Sequence, residues 1–570
     1  MKKTSLVIGC VLAAFLLNIA LFGSLLASGT SIQDQEAEVE MGDYIYSSFF
    51  GGTNEDISWS VVVDSQANII VAGSTYSTNC PVLNAYQDTY GGGDKPGGDM
   101  PYHIFGGDGF VAKFDPAGQL TWSTFLGGIN LDCARYVTVD TSDNIIVIGT
   151  TNSTDYPVTD DAYQSSYSGG VYDLFITKFA PNGTLTYSSY FGGSGQDLPN
   201  DLVLDLSDNL IITGRTESVD FPLTVDAADS EIGGDSDAIL VKFAPDCKTL
   251  LYSTYFGGSG TDSGVSIAID NQSNIILSGS TSSPDLPITG DAYQDTIKGF
   301  GVERDFFVAK FSAEDYQLSY ATYFGGSQAE DCYGLAVDSS GNIILTGRTW
   351  SGDFPTENAY QEEYTGLNNP PTTDHGELDG FITKLSADGQ NLVFSTYLGE
   401  VSWDTVFNPV IDKDDNIIVT FLTDFRDFPV IDGLLLNANA GSGNFLVIKM
   451  SPTGDFLFSS YLGGSFYDHP HDQFIADGTI YIAGQTESYN FLATDDAYQQ
   501  QYMGGIDGFI FRLELSDYLD DLGIVVDTTG SSTATNGVPG FELHFVLLAL
   551  TSSISLLTRA RKRKRQGKCS

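Results

Sequence analysis

The chain has 570 residues, 42% hydrophobic and 12% aromatic, enough to bury a large core. Its 25 Lys and Arg stand against 74 Asp and Glu, and a formal charge of −49 excludes a phosphate backbone as a partner, because like charges repel. The imbalance is sharpest between Ser31 and Gly540, which holds 16 basic and 73 acidic residues, whereas both ends are basic.

At the N-terminus Lys2 and Lys3 precede an apolar run, Ser5 to Ala27, that ends in small residues. That is the pattern of a secretory signal or signal anchor over residues 1–30, followed by a linker at 31–43.

From residue 44 to about 515 one motif is written seven times. Asn-Ile-Ile or a near variant stands at Asn68, Asn144, Asn209, Asn274, Asn342 and Asn416, with Thr479-Ile480-Tyr481 as the seventh copy. Each unit carries three runs rich in Val, Ile, Leu and Phe between Gly, Asp or Asn, and a fourth precedes the next unit. The Asp-x-x-x-Asn link between the first two runs, as in Asp338 to Asn342, makes them a hairpin. The chain starts with a fourth-type strand, Tyr44 to Phe50, and ends with a third-type strand, Phe509 to Leu513. An open stack would expose both as unpaired edges, whereas a ring pairs them. The predicted fold is therefore all-β: a seven-bladed β-propeller of four-stranded antiparallel blades, closed by the N-terminal strand completing the last blade.

The motifs Phe256-Gly257-Gly258, Val337-Asp338-Ser339-Ser340-Gly341-Asn342-Ile343, Asp353-Phe354-Pro355, Asn358-Ala359-Tyr360-Gln361 and Asp379-Gly380-Phe381-Ile382-Thr383-Lys384 resemble the SBBP seven-bladed β-propeller repeat. The resemblance implies the same fold and brings no settled activity or catalytic residues.

Beyond the repeats, a Ser/Thr/Gly-rich stretch at 516–540 leads to an apolar span at 541–558 and a basic tail at 559–570. Arg559 to Arg565 read as a stop-transfer signal that keeps the tail cytoplasmic. With Pro539-Gly540-Phe541 before the span, this end resembles an archaeal PGF-type sorting signal, which implies processing by a membrane sortase. Either a plain anchor or a processed one places the body at the cell surface, held to the membrane by its terminal segments.

Four residues after the second Gly of each Gly-Gly turn, or Glu400 in the sixth copy, stand Asp56, Asp132, Asp197, Asp262, Glu330, Asp404 and Asp468. A propeller gathers these positions around one mouth of its channel. There each carboxylate either accepts N–H bonds from its turn or shares a cation such as Ca²⁺, a hard ion that prefers oxygen ligands. His469 and His471 form a His-x-His between Asp468 and Asp472, a spacing that suits a transition metal and reads as a loop of the seventh unit. His103 and His375 lie in the two longest insertions and are expected to open on the same face as a ligand-binding surface. Lys113, Lys178, Lys242, Lys310, Lys384, Lys449 and Arg512 recur on the third strand and point to a structural ion pair. The Tyr of Ala-Tyr-Gln is expected to pack over the blade in a short helical turn. The Cys are expected to be unpaired and buried.

No nucleophile elbow, phosphate loop or His-Glu-x-x-His occurs. The sequence reads as an exported, surface-anchored, monomeric propeller that binds a cell-surface glycan or protein, rather than an enzyme. Two alternatives are a carbohydrate-active lyase or hydrolase with its site at the channel mouth, and a structural cell-envelope protein.

Overall fold

The structure is a computed structural model that describes residues 45–93, 106–299, 304–366, 378–400, 402–424, 428–431, 441 and 443–515. Within these residues every regular element of more than one residue is a β-strand. The strands form seven antiparallel sheets, as the spacing predicts. Each blade runs from an innermost strand to an outer one, as in Asp197–Leu204, Leu210–Thr216, Asp237–Phe243 and Leu250–Phe256. The third strand, Asp-Ala-Ile-Leu-Val-Lys-Phe, is buried at all seven positions because neighbouring blades cover both its faces. Each such Ile, Leu, Val or Phe contributes about 1.5–3 kcal/mol of burial free energy.

Ring closure follows the displaced-strand argument. Ile45–Phe50 pairs antiparallel with the last strand, Asp507–Glu514, from Ile45 opposite Leu513 to Phe50 opposite Gly508. All six residues of the first strand are buried, so it completes the last blade and leaves no open edge there. Phe49 packs into the core of the last blades with Phe491 and Phe509, and Phe50 into that of the first with Phe110 and Phe114.

At the hairpin end of each blade the recurrent Lys makes the expected ion pair, and its partner is the Asp of the Asp-x-x-x-Asn turn. Lys113 meets Asp64 at 2.8 Å, Lys242 meets Asp205 at 2.9 Å, and Lys384 meets Asp338 at 2.9 Å. The same ammonium groups reach the next blade: Lys113 donates to Pro181 O at 3.2 Å and Lys384 to Pro452 O at 3.0 Å. Arg512 departs from the pattern, 3.9 Å from Glu514, and donates to the carbonyl of Pro116.

Cys80, Cys133, Cys247 and Cys332 are free and buried. The Ala-Tyr-Gln segments form turns, not helices. Their Tyr rings pack over the blade as expected, Tyr163 on Phe191 at 5.7 Å, Tyr293 on Phe324 at 5.4 Å and Tyr360 on Phe456 at 4.4 Å, and the Gln ties down the next turn: Gln87 Oε1 accepts from Gly127 N at 3.3 Å and Gln361 Oε1 from Gly399 N at 3.1 Å. A three-residue segment that crosses an outer strand is too short to nucleate a helix. Among the described residues no helix is long and apolar enough to cross a membrane. The terminal signal segments, the linker, the 516–540 stretch and Pro539, Gly540 and Phe541 lie outside the described residues.

Candidate functional site: the inner wall at the Gly-Gly mouth

The conserved geometry begins at the turn between blades. Asp56 Oδ2 accepts from Gly52 N at 2.6 Å and from Ser77 Oγ at 2.8 Å, and the Thr75 hydroxyl donates to Oδ1. The backbone donor recurs at Asp132, Asp197, Asp262, Glu330, Asp404 and Asp468, at 2.6–3.1 Å. All seven side chains are buried, each held in its own turn. Each acid thus locks its own turn, while Asp132 Oδ1 and Asp262 Oδ1 are buried without a hydrogen-bond partner. Among the described residues no three His, Cys, Asp or Glu gather in a group able to hold a metal ion.

A second buried acid faces each lock from the start of the preceding third strand: Asp108, Asp173, Asp237, Asp305, Asp379 and Asp507, with Asn444 in the remaining copy. The first Gly of the turn lies between the two. A Cβ on Gly127 would stand 2.8 Å from Asp132 Oδ2 and 3.0 Å from Asp108 Oδ1, so only glycine fits there. Burial pushes Asp108 and Asp132 up to about 7 and Glu330 up to about 8, and the neighbouring acid adds to the rise at Asp132 and Glu330. Asn444 puts an uncharged amide of similar shape in that place, with both its Oδ1 and Nδ2 buried and without a hydrogen-bond partner.

The innermost strands carry a second regularity that sequence reading missed. The ladder to the second strand shifts by one residue between Ser58 and Ser60, Ala134 and Tyr136, Pro199 and Asp201, Gly264 and Ser266, Cys332 and Gly334, and Pro470 and Asp472. These β-bulges set apart Trp59, Arg135, Asn200, Val265, Tyr333 and His471, each the third residue after its lock acid; in the sixth blade the strand breaks after Val406 and Phe407 takes the place. The fixed offset of three from the acids was the available signal.

His469 and His471 therefore lie not in a loop but on the strand Asp468–Ala476. Pro470 reads as a turn residue, yet at a bulge its missing N–H breaks no ladder. The two rings stand 4.5 Å apart, with His471 4.2 Å from Trp59 and His469 4.9 Å from Phe407. His471 Nε2 is 3.1 Å from Gln485 Oε1, and His469 Nδ1 is buried without a partner. Burial holds His469 down at about 4 and His471 well below its usual value, so both are neutral at pH 7. Arg135 lies 4.7 Å over the Trp59 ring. His103 and His375 lie outside the described residues.

Toward the mouth the wall of blades five to seven is aromatic. Arg348 sits 5.0 Å over Trp350, 5.3 Å over Tyr333 and 5.7 Å over Trp403, and donates through Nε and Nη2 to Asp331 Oδ2 at 2.9 and 2.7 Å. On the rim Trp403 is 42% exposed, Phe466 48% and Tyr489 66%, and the last two rings touch at 5.8 Å. Neither Arg348 nor Trp403 stood out in the sequence, since the strand-ending Gly-Arg-Thr occurs also at Arg215 with no aromatic company.

With the geometry fixed, comparison with known proteins adds the repeat type. Residues 251–287 and 320–355 match the SBBP family, described as a beta-propeller repeat. Over 439 residues the chain is 23% identical to an uncharacterized WD repeat-containing protein of Acanthamoeba polyphaga mimivirus, covering 66% of this chain and 30% of that protein. Over 400 residues it is 23% identical to the regulatory protein FlaEY of Caulobacter vibrioides, covering 64% and 39%. The chain thus spans well under half the length of either relative. Among solved structures, a Dyadobacter fermentans protein of unknown function is 8% identical with a TM-score of 0.34 and covers 82% of this chain and 98% of its own. A polysaccharide lyase, an ulvan lyase of family PL25, is 9% identical with a TM-score of 0.42 and covers 77% and 92%.

Proposed function

We propose that the protein is an exported, surface-anchored propeller that binds another cell-surface component, a glycan or a protein, at the mouth formed by the inner walls of blades five to seven. The observation that carries this reading is the exposed aromatic rim around the Arg348–Asp331 pair, where Trp403, Phe466 and Tyr489 reach solvent. Aromatic side chains beside a fixed Arg are the groups that dominate binding surfaces, because they offer large apolar area and directed donors at low entropic cost. Export rests on the N-terminal apolar run and anchoring on the C-terminal span and basic tail. The test is a binding screen of the detergent-solubilised full chain against arrayed glycans and cell-surface proteins, with and without Ca²⁺. Binding that Trp403→Ala abolishes supports the mouth; binding untouched by Trp403→Ala and Phe466→Ala moves it elsewhere.

A second reading, catalysis on a carbohydrate, draws on His469, whose Nδ1 is unpartnered and whose ring stays neutral at pH 7. Those are the properties of a proton acceptor within the wall. Turnover of a glycan that His469→Gln removes while binding persists would establish it over simple binding.

A further inference from the structure

Resting on the mouth as a binding site, we infer that its ligand is a neutral saccharide, whose vicinal hydroxyls are held by Asp331 and Arg348 while its apolar face lies on Trp403. Three observations meet at one place. Both hydrogen bonds of the ion pair converge on a single oxygen, Asp331 Oδ2, at 2.9 and 2.7 Å. Among the described residues Asp331 Oδ1 and Arg348 Nη1 take no further partner, and both side chains keep contact with solvent, at 32% and 19% exposure. What remains is Asp331 Oδ1 as an acceptor and the three guanidinium N–H groups that the pair does not use, all held by the same ion pair.

Adjacent hydroxyls of a sugar ring match that arrangement, one donating to the carboxylate while the other accepts from the guanidinium. A hydroxyl-free apolar ligand would leave both groups dry and unpaired, which costs more than its burial returns. A lone carboxylate or sulfate would meet Arg348 but also Asp331 at its side, and would approach a body of strongly negative charge. A cationic ligand would meet the charge of Arg348 itself, which already lies over Tyr333, Trp350 and Trp403. The exposed indole of Trp403 supplies the flat face on which the C–H side of a sugar ring rests. The ion pair with its surrounding rings is thus a rigid grip, held in place before the ligand arrives.

The experiment is an array of neutral, uronic and sulfated oligosaccharides probed with the full chain and with Asp331→Asn, Arg348→Lys, Trp403→Ala and, as a control, Gln196→Ala at the corresponding position of blade three. The expected result is retention on neutral glycans, weakened at least tenfold by Asp331→Asn and Trp403→Ala and unchanged by Gln196→Ala. A matched glycan with one of the two vicinal hydroxyls replaced by hydrogen should lose at least tenfold as well, a readout independent of whether the variants fold. Retention of no glycan, preference for uronic or sulfated ones, or equal binding of the deoxy glycan each overturns the inference. Binding to surface proteins alone would overturn it while leaving the mouth as the binding site.

Discussion

The inner walls of blades three and four and of blades five to seven are built on one backbone and lined differently. Relative to the lock acid, blades three and four place Gln196 and Thr261 one residue before it, Leu198 and Ser263 one after, and Asn200 and Val265 three after. Blades six and seven place Trp403 and Tyr467, Thr405 and His469, and Phe407 and His471 there. In blades three and four the short polar chains bond to one another and to the backbone, Asn200 Nδ2 donating to Ser263 Oγ at 3.2 Å and to Gly264 O at 2.7 Å, and Ser282 Oγ accepting from the backbone Thr261 N at 2.8 Å. In the second half the rings pack edge to face and leave Trp403 outward. The locks are alike in both halves, so the frame does not depend on which wall it carries. Function is therefore free to concentrate in one sector.

The comparison is broken most severely by opening the ring, since both halves then share the loss. Deleting residues 45–50 strips the partner from the strand Asp507–Glu514 and should abolish a single cooperative unfolding transition and cause aggregation, read by calorimetry and light scattering.

Next in size is the pH response of the frame. The acids of the locks have folded values raised by burial, to about 6 at Asp197, 7 at Asp132 and 8 at Glu330. A raised acid contributes stability that is complete below its unfolded value near 4 and is lost as pH rises through the folded value, at up to about 1.4 kcal/mol per pH unit per group. The turn acids act oppositely: although burial opposes it, Lys113 and Asn68 hold Asp64 low, and Lys384 and Asn342 hold Asp338 low. Their contribution is present above about 4 and is lost in stronger acid. The melting temperature should therefore peak near pH 4, roughly where the two contributions meet, and fall as the pH rises toward 8. Asp108→Asn, which copies Asn444, should flatten that fall while changing little at or below about pH 4.

Single frame substitutions sharpen the claim that both halves stand on the same supports. Asp197→Ala in blade three and Asp468→Ala in blade seven each strand the same three donors, a Gly N–H, a Thr and a Ser. Each should cost about 3 kcal/mol in chemical denaturation, and unequal costs would show the halves to be differently supported. Lys384→Met should cost about as much, because it leaves Asp338 charged and buried.

The smallest effects fall on the wall. Gln196→Ala and Trp403→Ala should each shift stability by less than about 1 kcal/mol, and only the second should alter binding. A large stability loss at Trp403 would make the aromatic sector part of the frame.

The sequence alone determined the seven repeats, the closed ring, the buried free thiols and the Lys row as ion-pair elements, and it placed the lock acids while leaving them as turn acceptors or cation ligands. These are features of period and offset, and a side chain repeated seven times at one position meets the same surroundings seven times. Tertiary structure alone decided which Asp each Lys meets, that a second acid faces six of the seven locks, and that His469 and His471 belong to a strand. It also decided that Arg348, Trp403 and Asp331 share one mouth. Those depend on a one-residue shift in the innermost ladder and on which blades become neighbours, and neither leaves a mark on the local pattern of apolar and polar residues.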